Sequence, residues 1–446
     1  SVALYNEGTV NLNDGGVFKS LGNGGAAVFS VGTTNIKGAN TYEVGTNGIG
    51  FYANGGRITL DGNGGTSTIK IGAGSIFSYI DGTSTPPAAI NFNNGTFNVS
   101  LDTKAIGLIY KGAGTGIITP ASLQTYMNQN YGGLTNVNFN LGTGSRLFVL
   151  EEYGSADMSS ISTLATAGIV GTVTGTGKYA FLWKGSLVVA TPGTIDLDDP
   201  NEDFNKVERS SVGVTLNSGV VLTGAQAKQV GLADKFIYTP MGTDYRAMLN
   251  NGTISLTGTS AVGIYTDYGT ITNNSTVNST GHDGIGLFGE NGSTVLNNTG
   301  AVINVGNLGI GMYGISYQNP ASPQVYGTGT VSLTNKGTIN ANTGLSSVGM
   351  YGTALLGKAG SVINDASGII HIGESSQGMY FKDEGAPLNI FTNNGQLLSS
   401  STDTVGMYLD NPTSTIITNT GTINLTGDKS RGIYITNNGA TTVTNT

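Results

Sequence analysis

Four carboxylates in the C-terminal half of the chain share a position relative to a recurring glycine. Asp283, Glu374, Asp403 and Asp428 each stand three or four residues before it. If repeats stack, the last three form a column with steps of about 5 Å, and carboxylates roughly 5 to 9 Å apart are the pair that glycoside hydrolases use. Aspartate is also common in turns, where it hydrogen-bonds to nearby backbone. Because other repeats carry uncharged residues there, we favour a structural role.

Other residues with chemical potential are few. The acidic run 196–203 offers oxygen ligands for calcium but lacks the spacing and glycine of an EF-hand loop, and we interpret it as a solvated loop that leads into a helix around 204–209. His282 and His371 are the two histidines and lie in different repeats, and the chain has no cysteine, so a serine nucleophile lacks an evident activating base. The sequence predicts no catalytic residue, no metal ligand and no cofactor, and we expect a protein that is not an enzyme.

The stretch Gly309–Gly314 spells the dinucleotide motif GxGxxG. That motif requires a helix that opens directly after it, so that backbone N–H groups reach the pyrophosphate. Here the following residues return to a strand pattern, and the motif recurs without its outer glycines. We therefore interpret it as a coincidence within a repeat.

The elements that position these residues are copies of one short motif, apolar-Gly-aliphatic-aromatic. Successive copies are roughly 23 to 38 residues apart, the range of solenoid repeats. An Asn-containing turn with an alternating run precedes each copy, and another short alternating run follows it. Each period therefore holds three strands. The copies are Val262–Tyr265, Ile285–Phe288, Ile310–Tyr313, Val348–Tyr351, Gln377–Tyr380, Val405–Tyr408 and Arg431–Tyr434.

Three short strands per period, rich in Ile, Val and Thr, predict an all-β fold. Stacked in register, the strands form a right-handed parallel β-helix with three strands per coil. Alternation then places the aliphatic residue of each motif inside and the aromatic residue outside. The predicted inward stack is Ile264, Leu287, Met312, Met350, Met379, Met407 and Ile433. The predicted outward row is Tyr265, Phe288, Tyr313, Tyr351, Tyr380, Tyr408 and Tyr434.

Two interpretations of the outward aromatic row stay open. Exposed tyrosines are typical recognition residues, on which sugars or partner side chains could lie. Alternatively the row is an aromatic ladder that braces the sheet, which we favour. A recurrent asparagine before each turn is assigned to architecture, because asparagine tolerates left-handed backbone and its amides stack in ladders. These asparagines are Asn250, Asn273, Asn298, Asn335, Asn364, Asn393, Asn419 and Asn445.

Composition agrees with a solenoid and excludes some partners. The chain has 446 residues, of which 72 are glycine, and charged residues are 10%, far below the ~25% of ordinary domains. The formal net charge is −8 and no Lys/Arg cluster occurs, so we expect no binding to nucleic acid. The sequence contains no stretch of about 18 apolar residues and therefore predicts no transmembrane helix.

The regularity of the strand motifs divides the chain into three regions. Residues 1–111 and 247–446 are predicted to be β-helix coils, the latter more regular. Residues 112–246 are predicted to be coils with long insertions or a small subdomain, irregular and partly helical, with short helices at 120–127 and 159–165. Insertions in a repeat scaffold decorate one side and often carry function.

Two insertions supply the candidate ligand-binding residues. The first is the middle region, which contains the only tryptophan of the chain, Trp183. The second is the loop 316–326, stiffened by two prolines, which equally suits a neutral surface loop. The candidate binding residues are Tyr317, Gln318, Asn319, Gln324, Tyr326 and Trp183.

The combination of Asn-x-Gly-Thr-Ile, as at 250–254 and 419–423, with Gly309–Gly314 resembles the passenger regions of large fusobacterial autotransporter adhesins. The resemblance covers residues 1–111 and 247–446 clearly. It implies type V secretion, extracellular display at the outer membrane of a Gram-negative bacterium, and a role in coaggregation, biofilm formation or virulence. The alternative function is a polysaccharide lyase or glycoside hydrolase built on the same β-helix.

The same resemblance implies the partners. A passenger of this family attaches to a surface protein or glycan of a host cell or partner bacterium. It is covalently continuous with a longer passenger and with a C-terminal outer-membrane barrel. This chain, which has neither a signal peptide nor that barrel, is expected to be an excised passenger segment.

Overall fold

The computed structural model of the chain describes residues 1–81, 89–111, 117–151, 154–158, 161, 168–210, 212–233, 246–316, 331–355, 359–384, 389–410, 415–436 and 442–446. By contacts the chain divides into two units. Unit 1 comprises Ser1–Gly185 and Asp203–Ser210, and unit 2 comprises Ser186–Glu202 and Ser211–Thr446. The boundary near residue 185 falls inside the predicted middle region 112–246, and the three-part division remains a prediction.

Unit 2 is built from three parallel sheets that the chain visits in turn. The asparagine sheet, named for the residue that ends most of its strands, contains Ser186–Val189, Gly213–Leu216, Ala247–Asn250, Thr270–Asn273, Thr294–Asn297, Val331–Asn335, Gly360–Asn364, Asn389–Asn393, Thr415–Asn419 and Thr442–Asn445. The third sheet contains Gly193–Asp196, Val220–Gly224, Thr253–Leu256, Thr276–Ser279, Val302–Val305, Thr338–Ala341, Ile369–Ile372, Gln396–Ser399 and Thr422–Leu425. The tyrosine sheet contains Val230–Ala233, Val262–Asp267, Ile285–Glu290, Ile310–Ser316, Val348–Leu355, Gln377–Glu384, Val405–Asp410 and Arg431–Thr436.

Unit 1 also has three parallel sheets. The first contains Val2–Asn6, Ala26–Ser30, Ile49–Asn54, Ile76–Asp81, Ile106–Lys111, Arg146–Glu151, Lys178–Trp183 and Val207–Ser210. The second contains Thr9–Leu12, Thr33–Lys37, Arg57–Asp61, Ile90–Asn93 and Tyr131–Gly132. The third contains Val17–Ser20, Thr41–Val44, Thr66–Ile71, Thr96–Leu101, Val137–Leu141 and Val173–Gly175. The short strand Ile117–Ile118 pairs with Ser155–Asp157.

These sheets confirm the predicted all-β parallel β-helix with three strands per coil. The predicted inward stack is also confirmed by register, because Met312, Met350, Met379 and Met407 are successive partners and each is fully buried. Ile433 continues the register but is half-exposed in the last coil of this chain. The inward aliphatic residue of the motif therefore forms a continuous buried column.

The recurring glycine of the motif has a steric cause. A Cβ on Gly349 would lie 2.5 Å from the carbonyl oxygen of Gly378 and 2.5 Å from Cγ2 of Ile370. Gly263, Gly286 and Gly311 meet the same obstacles one coil apart. Only glycine lets the corner between the third sheet and the tyrosine sheet close at this distance, which explains why the motif keeps glycine before its aliphatic residue.

The middle region has one of its predicted helices and lacks another. The α-helix Pro120–Asn130 begins at the N-cap Thr119, whose side chain accepts a hydrogen bond from the backbone N–H of Ser122. The helix predicted at 204–209 is wrong. A 3-10 turn, Asp203–Lys206, leads directly into the strand Val207–Ser210, because that strand completes the ladder beside Lys178–Trp183.

Two further local features complete the fold. A second 3-10 turn spans Leu134–Asn136, and most of the helix predicted at 159–165 lies outside the described residues. Across the part of the chain that the structure describes, no helix combines the length and apolarity needed to cross a membrane.

Candidate functional site

The outward side of the tyrosine sheet carries the predicted row of seven aromatic side chains, which we call the tyrosine face. Successive rings are in register and their centroids lie 4.6 to 5.3 Å apart. The rings from Tyr265 to Tyr408 are half-buried, and Tyr434 is 39% exposed. At a rise of about 4.8 Å per coil, the row extends for roughly 30 Å.

Ring orientation decides between the two interpretations of this row. The planes of Phe288 and Tyr313 differ by 15°, and those of Tyr351 and Tyr380 by 43°. Five of the six neighbouring pairs in the row are stacked or tilted and one, Tyr265 with Phe288, meets edge to face, so ring faces pack mainly on neighbouring rings and ring edges face outward. Stacking a sugar needs a free aromatic face, which a ring inside such a ladder lacks. The geometry supports the bracing role and leaves ring edges and phenol groups for contact with a partner.

Two further columns flank the aromatic row on the same face. On one side lie mainly aliphatic residues, namely Val262, Ile285, Ile310, Val348, Gln377, Val405 and Arg431. On the other side lies a mixed polar column, namely Asp267, Glu290, Ile315, Thr353, Lys382, Asp410 and Thr436. The face thus combines apolar, aromatic and charged columns.

Hydrogen bonds tie the aromatic row to the polar column. The Tyr265 hydroxyl donates to Oε2 of Glu290 at 3.0 Å, and the Tyr380 hydroxyl donates to Oδ2 of Asp410 at 3.3 Å. Burial, reinforced by the neighbouring Tyr351 and Asp410, raises the pKa of Tyr380 above its ordinary value. Burial also raises the pKa of Glu290, with help from the charge of Asp267 and against the hydrogen bond from Tyr265. Tyr380 thus remains a protonated donor at physiological pH.

The predicted ligand-binding residues fall mostly outside the described residues. The structure does not describe five of them, so the loop site remains a prediction. These five are Tyr317, Gln318, Asn319, Gln324 and Tyr326. Trp183 ends the strand Lys178–Trp183 in unit 1, where it is half-buried.

Three neighbours surround the Trp183 position. Trp183 pairs in register with Glu151 and Ser210, and the ammonium of Lys184 lies 4.8 Å from its ring centroid. The ring is therefore engaged in a cation–π contact within its own unit.

The predicted column of Glu374, Asp403 and Asp428 does not form. The backbone N–H of Asp403 donates to the carbonyl of Asp428 in the next coil, and that of Ser375 donates to Thr402. Asp403 therefore occupies the left-handed position of its turn, at φ 55°, as Ser375 does, while Glu374 and Asp428 precede that position. The prediction is wrong because Asp403 stands three residues before the motif glycine, whereas Glu374 and Asp428 stand four residues before it.

The acidic run 196–203 is occupied with its own turn. Asp196 and Asp199 each accept a hydrogen bond from the backbone N–H two residues on. The carboxylate of Asp198 accepts from the N–H of Ala225 at 2.8 Å and from Nε2 of Gln229 at 3.0 Å. Within the described ranges, no group of three or more His, Asp and Glu side chains is placed to hold a metal ion.

The structure places the glycine-rich motif and the two histidines on separate elements of the β-helix. Gly309 directly precedes the strand Ile310–Ser316, and the rest of the motif up to Gly314 lies within that strand. This confirms that its match to a dinucleotide motif is a coincidence. His282 lies in an exposed turn with Nδ1 2.8 Å from Oδ2 of Asp283. His371 lies on the strand Ile369–Ile372 of the third sheet, so these two residues belong to different elements.

Sequence reasoning missed the outward side of the third sheet. Asn278, Asn304 and Asn340 form an amide ladder there, with Nδ2 to Oδ1 distances of 2.6 and 2.7 Å. His371 and Leu398 follow in the same column, where an open groove begins. The available signal was the spacing Thr-x-Asn at 276–278, 338–340 and 422–424.

Comparison with known proteins finds a described family to which part of the chain is similar. Residues 285–446 match the family model described as the BigA third pectate lyase-like domain. The match runs from the third strand of the tyrosine sheet to the end of the chain. These residues form a β-helix domain of the BigA kind, with a pectate lyase-like fold. No curated protein and no solved structure matches the chain.

Proposed function

We propose that this chain is a segment of a large bacterial surface protein, an adhesin passenger of the autotransporter type. In this proposal it is displayed outside the outer membrane, where it attaches to partner bacteria or host cells. The observation that carries the proposal is the tyrosine face, a surface of ordered aromatic edges, apolar side chains and carboxylates about 30 Å long. The β-helix domain of the BigA kind at 285–446 supports it.

The tyrosine face has the physical properties of a contact surface. Tyrosine is enriched at protein interfaces because it combines apolar area with a hydroxyl. Each ring between Phe288 and Tyr408 is held between two neighbours, so little side-chain entropy remains to be lost on binding. Because ring faces are occupied and edges are free, the face suits the side chains of a partner protein.

The second candidate function is a polysaccharide lyase or glycoside hydrolase, and one observation favours it. Asp267 and Glu290 are partners in register on neighbouring coils, and the pKa of Glu290 is raised mainly by burial, as a general acid requires. The carboxylate of Glu290, however, is already engaged by the hydroxyl of Tyr265, which donates a hydrogen bond to it. For this reason we place adhesion before the enzymatic function.

Cell binding by the whole chain tests the proposal. Beads that carry the chain are incubated with a panel of Gram-negative bacteria and epithelial cells, and attachment is counted. The double variant Tyr351→Thr/Tyr380→Thr keeps a strand-forming residue at both positions and should lose most of the attachment. The control Asn278→Thr/Asn304→Thr makes two comparable changes on the outward side of the third sheet and should attach normally.

The outcomes separate the candidate functions. No attachment by the unaltered chain to any cell overturns the adhesion proposal. Attachment by a folded Tyr351→Thr/Tyr380→Thr variant at the unaltered level removes the tyrosine face from it. Release of unsaturated or reducing ends from acidic polysaccharides, with or without calcium, establishes the enzymatic alternative, and Glu290→Gln should then abolish that release.

A further inference from the structure

The third sheet of unit 2 carries an open groove with a volume of about 370 Å³, within the range of ligand-binding sites. We call it the polar groove. It begins where the amide ladder of Asn278, Asn304 and Asn340 ends. Its lining includes the side chains of Asn342, His371, Leu398, Ser400, Asn424 and Thr426.

The polar groove lies where a column of side chains is interrupted. In each coil one residue directly follows the third-sheet strand, and these residues stack as a column that includes Asn342, Gly373 and Ser400. Gly373 belongs to this column because its N–H donates to the carbonyl of Ala341 in the coil before, at 3.0 Å. We call the gap between the side chains of Asn342 and Ser400 the notch; a Cβ on Gly373 would not fill it, because that Cβ would meet the backbone of the coil before, 2.7 Å from the carbonyl oxygen of Gly344.

Side chains around the notch remain available to a ligand. His371 and Leu398 interrupt the amide column between Asn340 and Asn424. Consequently the Asn424 amide makes no hydrogen bond to that ladder. In the described part of the chain, the side chains of Asn342 and Asn424 make no hydrogen bond to protein. Each amide offers two donors and an acceptor, so both edges of the groove present hydrogen-bonding groups to solvent.

The lining selects the charge and chemistry of the ligand. None of the residues that line the groove is Lys, Arg, Asp or Glu, so no fixed charge would compensate a charged ligand. Amide and hydroxyl groups match the hydroxyls of a sugar. Leu398 gives an apolar contact for its C–H face. Binding sites that combine a few placed polar groups with apolar surface are typical of small ligands.

A peptide strand does not fit this site. Addition of a strand to a sheet requires an edge with unpaired N–H and C=O groups. The strand Ile369–Ile372 pairs with Thr338–Ala341 on one side and with Gln396–Ser399 on the other. Because the backbone is already paired, recognition here depends on side chains.

We infer that the polar groove of unit 2 binds a neutral saccharide through Asn342, His371, Ser400 and Asn424. The cellular source of the saccharide, a partner cell's surface, rests on the proposed function. The binding itself does not, since it is measured with purified oligosaccharides and without cells. The tyrosine face is a separate surface on a different sheet.

The test uses the whole chain and defined probes. Neutral oligosaccharides that end in glucose, galactose, mannose or N-acetylglucosamine are titrated by calorimetry, with sialylated and sulfated counterparts. At least one neutral probe should bind, and Asn342→Ala/Asn424→Ala should weaken that binding at least tenfold. The matched control Asn278→Ala, an outward asparagine of the same sheet outside the groove, should bind as the unaltered chain does.

A labelling measurement covers the case in which the variant fails to fold. The chain has two histidines, and diethyl pyrocarbonate modifies both. The bound neutral saccharide should slow modification of His371 and leave that of His282 unchanged. Equal modification of His371 with and without bound saccharide overturns the inference.

Other outcomes also decide the inference and keep it distinct from adhesion. Binding of charged probes alone, or of no probe at millimolar concentration, overturns the groove as a neutral saccharide site. A chain that attaches to cells but binds no neutral probe retains the adhesion proposal alone. A chain that binds neutral probes through the groove but attaches to no cell retains this inference alone.

Discussion

Asn297 and Asn298 are adjacent in sequence but belong to two parallel amide ladders, one buried and one facing solvent. The Nδ2 atom of Asn273 donates to Oδ1 of Asn297 at 2.8 Å, and Asn297 donates in turn to Asn335 at 2.8 Å. Asn298 instead donates to Asn274 at 3.0 Å on the outside. The two asparagines thus make similar hydrogen bonds in opposite environments.

This pair yields a prediction about stability. Asn297→Ala leaves a buried donor on Asn273 and a buried acceptor on Asn335 unpaired, at a cost of about 1–3 kcal/mol for each. Asn298→Ala exposes its former partners to water, so we expect a change within about 0.5 kcal/mol. Urea unfolding followed by circular dichroism measures both variants. Equal destabilisation would show that the buried ladder contributes no more than the outer one.

A second prediction concerns the motif glycine. Gly349→Ala places a Cβ 2.5 Å from both the Gly378 carbonyl and Cγ2 of Ile370, and we expect this overpacking to cost about 1–3 kcal/mol. Gly432 is the same position in the last coil of this chain, where the nearest atom to an added Cβ is Cγ2 of Ile423 at 4.0 Å. Gly432→Ala should therefore leave the melting temperature nearly unchanged, and a large drop would contradict the steric explanation.

A third prediction tests the inward stack. Met379→Ala removes a fully buried side chain between two coils and should cost about 2–5 kcal/mol. Ile433 lies in the same column but is half-exposed, so Ile433→Ala should cost clearly less. Native-state hydrogen exchange of the flanking strands reports the loss coil by coil, because each repeat contacts mainly its neighbours. Similar losses at both positions would argue against an enclosed core.

Much of the fold follows from local pattern. Two-residue alternation places Met350 inside and Tyr351 outside with no knowledge of the partner strands. Positions within a turn need an exact alignment: Asp403 stands three residues before the motif glycine and Glu374 and Asp428 stand four before it, which is why the predicted column of these residues is wrong. The buried ladder also runs through Asn297 and not through the predicted Asn298, because two adjacent amides are equivalent in sequence.

The side-chain contacts between coils could not be predicted from the sequence. Phe381 is fully buried at a position where the neighbouring coil carries Gly352. A Cβ on Gly352 would lie 2.7 Å from the Phe381 ring, and one on Gly360 would lie 3.0 Å from it. The large residue and the two small ones compensate each other across coils.

The fourth prediction concerns the pH dependence of Glu290. Burial and the charge of Asp267 raise its pKa, and the hydrogen bond from Tyr265 only partly opposes them. The folded chain therefore favours the protonated carboxyl. Its stabilising contribution is full below the ordinary glutamate pKa and is lost as the pH rises through the raised value. Glu290→Gln should consequently raise the melting temperature relative to the unaltered chain at pH 7, and this gain should disappear near pH 3.

Glu43 in unit 1 gives a control of opposite sign. Its carboxylate lies 2.6 Å from the ammonium of Lys19 and 3.3 Å from that of Lys70, and hydrogen bonds to these two groups lower its pKa. A lowered pKa stabilises the folded state above the ordinary glutamate pKa, and this contribution is lost as the pH falls. Glu43→Gln should thus lower stability at pH 7 and approach the unaltered chain at pH 3. Melting curves from pH 3 to 7 that move both variants in the same direction would contradict these electrostatic assignments, because burial and ion pairing act on a carboxylate with opposite sign.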